Sequence, residues 1–423
     1  MLSIQLIRQS PDVVRAAMAR RGESPEALDR ILALDQEWRR VTHDVEELKA
    51  EQNRVSKETK GKPSPETLER MRGISDKVKT LEEQSREIEA KQETLMLNLP
   101  NIPHESVPEG KSSEDNKIAR QWGELPGFTY SLMPHWELGE RLGIIDFERG
   151  QRISGSRFYV LKGQAARLQR ALITFFLDEH TKKHGYTEIY PPFMVKGKVL
   201  QASGQLPKFA ENLYRDAEDA DDKWFVPTAE VPLTSMHADE ILEASQLPIS
   251  YVAYTPCFRK EKMSAGKDIR GLKRGHQFDK VEMYKFVEPS TSYAELESML
   301  KDATSLLETL GIPYRILSLC AGDLGFAATK TYDIEVWAAG VGEWLEVSSV
   351  SNVGDFQARR ANIRYRPKAG ARPEYPHTLN GSGLALPRVM IAILKNFQQA
   401  DGSVLIHEAL RPYTGFDRIG PAK

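Results

Sequence analysis

Two heptad-patterned stretches near the N-terminus constrain the fold of this 423-residue chain more than any other feature. Apolar and near-apolar residues recur at alternating steps of three and four, and charged residues fill the positions between them. This spacing places them along one stripe of an α-helix, as at the a and d positions of a coiled coil, for about three heptads each. The first stripe contains Leu34, Trp38, Val41, Val45, Leu48, Gln52 and Val55, and the second contains Met71, Ile74, Val78, Leu81, Ser85, Ile88, Gln92 and Leu95.

A break that no helix can cross separates the two stripes. Residues 60–65 read Lys-Gly-Lys-Pro-Ser-Pro, and the glycine and prolines stop a helix here. Pro65 fits the first turn of a new helix, with Ser64 as its N-cap. Two helices of similar length joined by a short loop fold back as an antiparallel hairpin. At ~1.5 Å rise per residue, roughly 33 residues per helix predict an arm on the order of 50 Å long, over about residues 27–97.

An arm of this kind has too little apolar area for a domain core, and two uses of it stay open. One is dimerisation through a coiled coil. The other is contact with a polyanion at the tip, where residues 54–79 contain eight basic and four acidic residues. Because the rest of the arm is acidic, the positive charge is confined to the tip, which suits contact with a polyanion there. A solvated charged face is the other interpretation of this charge pattern. The candidate RNA-binding residues are Arg54, Lys57, Lys60 and Lys62.

The composition narrows the class of protein. A net charge of −2 argues against non-specific coating of nucleic acid. The two cysteines, Cys257 and Cys320, are far apart, which favours a reducing compartment over a disulfide scaffold or a cysteine zinc site. The N-terminal residues lack the pattern of a signal peptide, and no apolar run approaches about 18 residues. We therefore expect a cytoplasmic protein with no membrane and no DNA as a partner.

Beyond the arm the pattern becomes mixed. Helical stretches such as 167–184 and 293–310 alternate with short β-branched or aromatic runs such as 251–258 and 314–318. Consecutive strand-like runs without intervening helices predict an antiparallel sheet, so the expected fold class is α+β rather than doubly wound parallel. The predicted domains are an N-terminal domain at 1–103, a linker at 104–117 and a catalytic domain at 118–423.

One segment of the second half concentrates charge. Residues 257–261 read Cys-Phe-Arg-Lys-Glu, and an arginine and a carboxylate two apart on a strand point to the same face. Such a pair is most often a plain salt bridge. Here the loop that follows adds more positive charge than a hairpin needs, and guanidinium groups suit bidentate contact with phosphate. The basic residues of this loop are Lys267, Arg270, Lys273 and Arg274.

The chain has no G-x-x-x-x-G-K-[ST] loop, no G-x-G-x-x-G after a strand and no H-E-x-x-H. Three segments instead resemble the three signature motifs of class II aminoacyl-tRNA synthetases. The first is Gly185–Met194, with Pro192 in the proline place. The second begins at Cys257–Glu261 and ends with R-G-L-K-R-G-H-Q-F-D-K-V-E-M at 270–283. This last stretch resembles the seryl branch nearly residue for residue. The third is Asn380–Arg388, with Pro387 where the family usually has glycine.

Two further segments also resemble the seryl-tRNA synthetase family. Residues 227–230 read P-T-A-E, like the family's serine-contacting element, and residues 345–352 contain its E-V-S-S-x-S-N strand. The resemblance implies a homodimer built through the first motif. It also implies an enzyme that activates L-serine with ATP and transfers it to tRNA(Ser), and by analogy to tRNA(Sec). In that family the N-terminal arm holds the long variable arm of the tRNA.

The resemblance implies a role for each candidate residue. Arg259 would bind the α-phosphate and Arg388 the γ-phosphate. Glu346 and Ser349 would bind Mg²⁺, which prefers oxygen ligands. The candidate catalytic residues are Arg259, Glu346 and Arg388. The candidate ATP-binding residues are Arg259, Lys260, Glu261, Gly275, Glu346, Val347, Ser348, Ser349 and Arg388, and the candidate serine-binding residues are Thr228, Ala229, Glu230, Glu282 and Ser382.

Two other functions stay open at this point. One is a related ligase that charges a carrier protein with an amino acid, although such relatives lack the long arm. The other is an inactive RNA-binding paralogue, which we would expect to have lost Arg259 and Arg388. Serine-dependent ATP–pyrophosphate exchange separates these three functions.

Overall fold

The structure, a computed structural model, forms two compact units, Met1–Pro100 and Asn101–Lys423. The first unit is helical and the second combines helices with a large sheet, which confirms the α+β prediction. Residues 104–117, the predicted linker, belong to the second unit. No helix among the described residues is long and apolar enough to cross a membrane. The structure describes residues 1–59, 61, 63–218, 220–262, 271–339 and 342–420.

The two arm helices and the helical stretches predicted at 167–184 and 293–310 are helices in the structure. The described helices are α1 (Ile4–Gln9), α2 (Pro11–Arg20), α3 (Glu26–Glu58), α4 (Pro65–Met96), α5 (His135–Arg141), α6 (Phe147–Ser154), α7 (Gln164–Lys182), α8 (Gly197–Ser203), α9 (Glu230–Thr234), α10 (Ser292–Thr309), α11 (Phe356–Arg360), α12 (Leu386–Asn396) and α13 (Arg411–Thr414).

The helices α3 and α4 form the predicted antiparallel arm. They have 33 and 32 residues, and at ~1.5 Å per residue each is about 50 Å long. Val45, Ile74 and Val78 of the predicted stripes make a small buried cluster between the helices. Pro65 is the first residue of α4, and the hydroxyl of Ser64 accepts the backbone N–H of Thr67 at 3.1 Å, so the predicted cap is confirmed.

A buried carboxylate that the heptad pattern did not predict lies at the base of the arm. The side chain of Asp35 is 1% exposed. Arg8 donates to it through two nitrogens at 2.6 and 2.8 Å, and Arg39 through a third at 3.1 Å. Gln92, from the opposite helix of the arm, donates at 3.4 Å. These bonds connect α1, α3 and α4 within the first unit.

Half of the described strands of the second unit belong to one eight-stranded sheet with the order β1-β10-β11-β12-β14-β9-β8-β4. Neighbours are antiparallel except for the edge pair β4 and β8. This confirms the predicted antiparallel sheet. The strands are β1 (Lys117–Trp122), β2 (Ile145–Asp146), β3 (Val160–Leu161), β4 (Thr187–Glu188), β5 (Met194–Lys196), β6 (Lys223–Phe225), β7 (Ile241–Glu243), β8 (Ile249–Phe258), β9 (Gln277–Val287), β10 (Tyr314–Ser318), β11 (Lys330–Ala338), β12 (Glu343–Gly354), β13 (Arg364–Arg366), β14 (His377–Ala385), β15 (Val404–Leu405) and β16 (Arg418–Ile419).

The main core lies between this sheet and three helices, α7, α10 and α12. Leu172 and Phe176 of α7 and Leu300 of α10 are buried in it. The helix α12 is buried at nearly every position, including Met390 and Ile393. Because α12 is fixed on all sides, its N-terminal turn is held firmly at the edge of the central strands.

Only a short part of the first motif next to α7 forms a strand of the large sheet. Gly185 follows α7 with a φ of +76°, a left-handed conformation that glycine adopts without strain. Only Thr187 and Glu188 then pair with β8, and the chain leaves the sheet before Pro191 and Pro192. Proline cannot donate to a ladder, so the strand cannot continue through Pro191 and Pro192.

Candidate active site

A cavity of about 220 Å³ opens where the adjacent strands β12, β14 and β9 meet the start of α12. Most of the predicted site residues line it, although they are widely separated in the sequence. The sheet order brings them together, since β9, β12 and β14 are neighbours in space only. The predicted residues that line the cavity are Thr228, Glu230, Arg259, Glu261, Gly275, Glu282, Glu346, Val347, Ser349, Ser382 and Arg388.

Three of the predicted ATP- and serine-binding residues lie outside this lining. Ala229 is fully buried. Ser348 is also buried, and its hydroxyl donates to the backbone oxygen of Ser382 at 2.7 Å. The ammonium of Lys260 lies 5.4 Å from the centre of the Tyr214 ring. The assignment of these three residues to ligand binding stays a prediction.

Arg259 and Glu261 line the cavity, but they do not lie on a strand as predicted. The strand β8 ends at Phe258, so both residues follow the strand instead of lying on it. The Nε of Arg259 donates to the carbonyl of Pro227 at 3.1 Å, and its guanidinium lies 5.2 Å from the centre of the Phe278 ring. Held in this way, the two terminal nitrogens of Arg259 can bind an anion bidentately.

The register of β12 explains how Glu346 and Ser349 reach the same cavity. Residues three apart on a regular strand point to opposite faces. The pairing of β12 with β11 slips by one residue at Val347, which makes this position a β-bulge. A bulge re-aims the side chains beside it, and both Glu346 and Ser349 line the cavity. The E-V-S-S sequence alone did not indicate the bulge.

The chemistry of this corner fits a magnesium ion. Glu346 and Ser349 provide a carboxylate and a hydroxyl, which are the hard oxygen ligands that Mg²⁺ prefers, and Mg²⁺ commonly takes its other ligands from phosphates and water. Asp333 lies opposite Ser349 on β11 and is hydrogen-bonded to it. Burial, and then the charge of Glu346, raise the pKa of Asp333 well above its usual range. A bound cation would relieve this repulsion between the two carboxylates.

Arg388 lies at the N-terminal end of α12. Pro387 is in the first turn of this helix, where a missing N–H removes no helical hydrogen bond, so the departure from the family's glycine is accommodated. The Nη1 of Arg388 donates to the backbone oxygen of Glu346 at 2.5 Å and lies 3.4 Å from its Oε2. The helix N-terminus adds partial positive charge beside the guanidinium. This end of the cavity therefore suits a polyanion.

The opposite side of the cavity contains two carboxylates, the buried Glu282 and the half-buried Glu230. Glu282 is 1% exposed, and it is ion-paired with Lys280 and hydrogen-bonded at 3.4 Å by the amide of Asn380. Burial, and then the charge of Glu282, raise the pKa of Glu230 to about 7, against the opposing effects of Lys280 and Arg259. Two acidic groups in one enclosed pocket suit a small cationic ligand that also has hydrogen-bonding groups.

Several residues of the lining were not assigned from the sequence. Phe278 and Lys280 line the cavity together with Glu282 because they alternate on β9. The period of two around Glu282 was the signal that could have found them. Asn380, the first residue of the third motif, and Gln205 also line the cavity, and no local pattern in the sequence marks Gln205.

The tip of the arm is described in part. Arg54 and Lys57 are exposed near the C-terminal end of α3. Lys60 and Lys62 lie outside the described residues. Contact between these four residues and RNA stays a prediction.

Comparison with known proteins separates the candidate families. The family model of the seryl-tRNA synthetase N-terminal domain matches residues 1–103. The model of the tRNA synthetase class II core domain (G, H, P, S and T) matches residues 213–397. The serine–tRNA ligase of Chloroflexus aurantiacus is 58% identical over 100% of both chains. The chain belongs to the seryl-tRNA synthetase family.

Other members of the seryl-tRNA synthetase family agree over the full length. The serine–tRNA ligase of Roseiflexus sp. is 59% identical and covers 98% of each chain. The crystal structure of seryl-tRNA synthetase from Pyrococcus horikoshii complexed with ATP superposes with a TM-score of 0.94 at 40% identity, over 100% of both chains. The seryl-tRNA synthetase fold therefore includes the arm as well as the sheet that carries the cavity.

Proposed function

We propose that this chain is an ATP-dependent serine–tRNA ligase that forms seryl-adenylate and then transfers serine to the 3′ end of tRNA(Ser). One observation carries the proposal: a single cavity combines three arginines, two hard oxygen ligands and the two carboxylates of its acidic side. The relatives named serine–tRNA ligase and the ATP-complexed structure support it.

In the first step the serine carboxylate attacks the α-phosphorus of ATP, and pyrophosphate leaves. Arg259 binds the α-phosphate, where negative charge develops, and Arg388 binds the γ-phosphate at the N-terminus of α12. Glu261 and Gly275 contact the nucleoside end. Both substrates are held in place and no protein nucleophile is used, so the rate depends on positioning and on charge stabilisation.

Glu346 and Ser349 would hold Mg²⁺, which neutralises charge on the phosphates of ATP. The Nη1 of Arg388 lies 3.4 Å from Oε2 of Glu346, so the proposed γ-phosphate site adjoins the proposed Mg²⁺ ligands. Val347, at the bulge, lines the same wall of the cavity.

Serine binds at the acidic side of the cavity. Glu230 in its ionised form receives the serine ammonium, and Glu282 accepts the hydroxyl while it keeps its contact with Lys280. Thr228 and Ser382 complete the wall. A buried acceptor that is stranded without the hydroxyl rejects alanine far more strongly than an apolar pocket could.

In the second step the 3′-terminal ribose hydroxyl of the tRNA attacks the acyl carbon, and AMP leaves. The basic tip of the arm binds the sugar–phosphate backbone of the tRNA. By analogy with the family, tRNA(Sec) is a second substrate. We expect the enzyme to act in the cytoplasm, where protein synthesis takes place.

We also propose that the chain acts as a homodimer through the first motif. Tyr190 is 79% exposed and Met194, four residues further along the same segment, is 38% exposed. Exposed apolar side chains of this size within one segment are typical of a protein–protein interface. Sedimentation of the wild type and of Tyr190→Asp measures the effect of this surface on the oligomeric state.

Serine-dependent exchange of pyrophosphate into ATP tests the activity directly. We expect exchange in the wild type and its loss in Arg259→Gln. Arg315→Gln is the matched control, because Arg315 lies on β10 of the same sheet in an ion pair with Glu335 at 2.5 Å and does not line the cavity. The proposal is contradicted if no amino acid supports pyrophosphate exchange by the wild type, or if another amino acid supports it better than serine does.

A further inference from the structure

Gln357 lies directly behind the pocket proposed for serine and belongs to α11. Its side chain is 0% exposed. The Oε1 of Gln357 accepts hydrogen bonds from the hydroxyl groups of Tyr284 and Thr378, both at 2.8 Å. Its Nε2 donates to the backbone oxygen of Ser203 at 3.0 Å and to Oε1 of Glu230 at 2.6 Å. An amide has two donor and two acceptor positions, and all four are used.

These partners allow only one orientation of the amide. A flipped Gln357 would place its Oε1 against the carbonyl of Ser203 and the carboxylate of Glu230. Both of these groups are acceptors, so the flipped form would bury three acceptors together without a donor. The two hydroxyl groups and the carbonyl therefore hold the amide N–H toward Glu230.

We infer that Gln357 is a positioning residue for serine binding, because its fixed amide orients the Glu230 carboxylate and stabilises the ionised form that receives the serine ammonium. The inference rests on the proposed function of the pocket. A hydrogen bond to the charged form of a carboxylate favours that form. Gln357 needs no contact with serine to act in this way, because it hydrogen-bonds to Glu230 and Glu230 lines the cavity.

The charges around Glu230 are finely balanced. Burial and the charge of Glu282 on β9 oppose its ionisation, whereas Lys280 on β9, the amide of Gln357 and Arg259 after β8 favour it. The result is a pKa of about 7. Because this value lies in the middle of the working range, the loss of one donor changes the fraction of ionised Glu230 at neutral pH.

The test is the nearly isosteric variant Gln357→Glu, which replaces the N–H donor beside Glu230 by an acceptor. At pH 7 we expect the KM for serine in pyrophosphate exchange to rise roughly 10-fold, as for the loss of a charge-assisted hydrogen bond. The KM for ATP should stay within about twofold of wild type. The pH below which the KM for serine rises should also move upward. Gln121→Glu on the exposed strand β1 introduces the same charge as a control.

A second variant separates positioning from general damage. Tyr284→Phe keeps the buried ring but removes one of the two hydroxyl groups that orient Gln357. We expect the same upward shift of the pH profile with a smaller rise in the KM for serine, roughly twofold to fivefold. Equal rises in KM for serine and ATP, or a fall in kcat with an unshifted pH profile, would show a purely structural role and overturn the inference.

The two proposals fail separately. A wild type without serine-dependent exchange overturns the proposed function and this inference with it. An active wild type together with a Gln357→Glu variant of unchanged KM and pH profile overturns the inference alone.

Discussion

Asp35 in the helical unit and Glu230 in the sheet unit are both enclosed carboxylates, and their pKa values move in opposite directions. Burial would raise the pKa of Asp35, but the hydrogen bonds and charge of Arg8, with Gln92 and Arg39, hold it below its usual range. Burial, and then the charge of Glu282, raise the pKa of Glu230 to about 7, because the nearby cations and the amide of Gln357 offset these effects only in part.

The difference distinguishes a structural carboxylate from a binding one. The partners of Asp35 are complete within the fold, so its charge fixes the base of the arm and needs nothing else. The cations near Glu230 are already engaged, since Lys280 is paired with Glu282 and Arg259 is held by Pro227. Glu230 is therefore ready for a cationic ligand, which is the arrangement expected where a protein binds its substrate.

The largest expected effect concerns the binding pocket. Glu282→Ala should lower the rate of serine activation by roughly 10³-fold, because it removes the proposed hydroxyl acceptor and leaves Lys280 buried without its partner. The wild type should discriminate against alanine by roughly 10⁴-fold. Pyrophosphate exchange with serine and with alanine measures both.

Glu295→Ala is the matched control for this variant. Glu295 is ion-paired at 2.8 Å with Lys285, a buried lysine of the same strand β9, but it does not line the cavity. It should reduce stability and leave serine activation near wild type. Near-wild-type activation and selectivity in Glu282→Ala would show that the pocket has been assigned to the wrong residues.

The next largest effect separates the two units. Replacement of residues 44–83 by a short glycine–serine loop removes the outer arm but keeps Asp35 and Gln92. Aminoacylation at low tRNA concentration should fall roughly 100-fold through lost affinity. Serine-dependent exchange should be unchanged, because all the residues that line the cavity lie in the second unit. Loss of exchange in a folded variant would contradict the division of labour between the units.

If Asp35 is a structural carboxylate, its replacement should lower the stability of the first unit. Asp35→Asn should cost about 2 kcal/mol of local stability at pH 7, less than for a deeply buried pair because Arg8 is partly exposed and the arm is only two helices thick. The folded pKa of Asp35 is lowered, so its contribution is complete above the unfolded value of about 4 and is lost as the pH falls further. Hydrogen exchange of residues 4–39 measures it, and Glu46→Gln, at an exposed position of α3, is the control. A difference that persists unchanged at pH 2 would contradict the ion-pair explanation.

The tip of the arm should give a smaller effect. Reversal of its four basic residues to glutamate should weaken tRNA binding roughly tenfold or more and flatten its dependence on salt, because phosphate contacts set that slope. Arg86→Glu with Lys91→Glu, exposed on the stem of the arm, is the matched control for the pair Arg54→Glu with Lys57→Glu. An unchanged slope would show that the tip does not contact phosphates. The four residues are Arg54, Lys57, Lys60 and Lys62.

The smallest effect appears without mutation. Protonation of Glu230 should weaken serine binding, so the KM for serine should rise as the pH falls through about 7 and reach roughly tenfold at pH 6. The sign follows from a raised pKa, since the ionised carboxylate dominates only above that value. Exchange assays between pH 6 and 8 test this, and a flat KM for serine would contradict the role of Glu230.

Much of this arrangement could be predicted before the structure. The heptads and the Pro-Ser-Pro break predicted α3, α4 and the cap at Ser64, since each depends on neighbours within a few residues. Short motifs predicted most of the cavity lining. The placement of Arg259 and Glu261 on a strand was wrong, because β8 ends one residue earlier.

The sequence by itself determined the helical arm, the α+β class and the residue types of the site, because these follow from local periodicity and from motifs written in consecutive residues. Only the tertiary structure decided which groups meet across the sheet. The bulge at Val347 depends on pairing with β11, and the burial of Asp35 depends on α1. The amide of Gln357 reaches Glu230 across 127 positions of chain. Contacts of that range depend on strand order and packing, which no local pattern encodes.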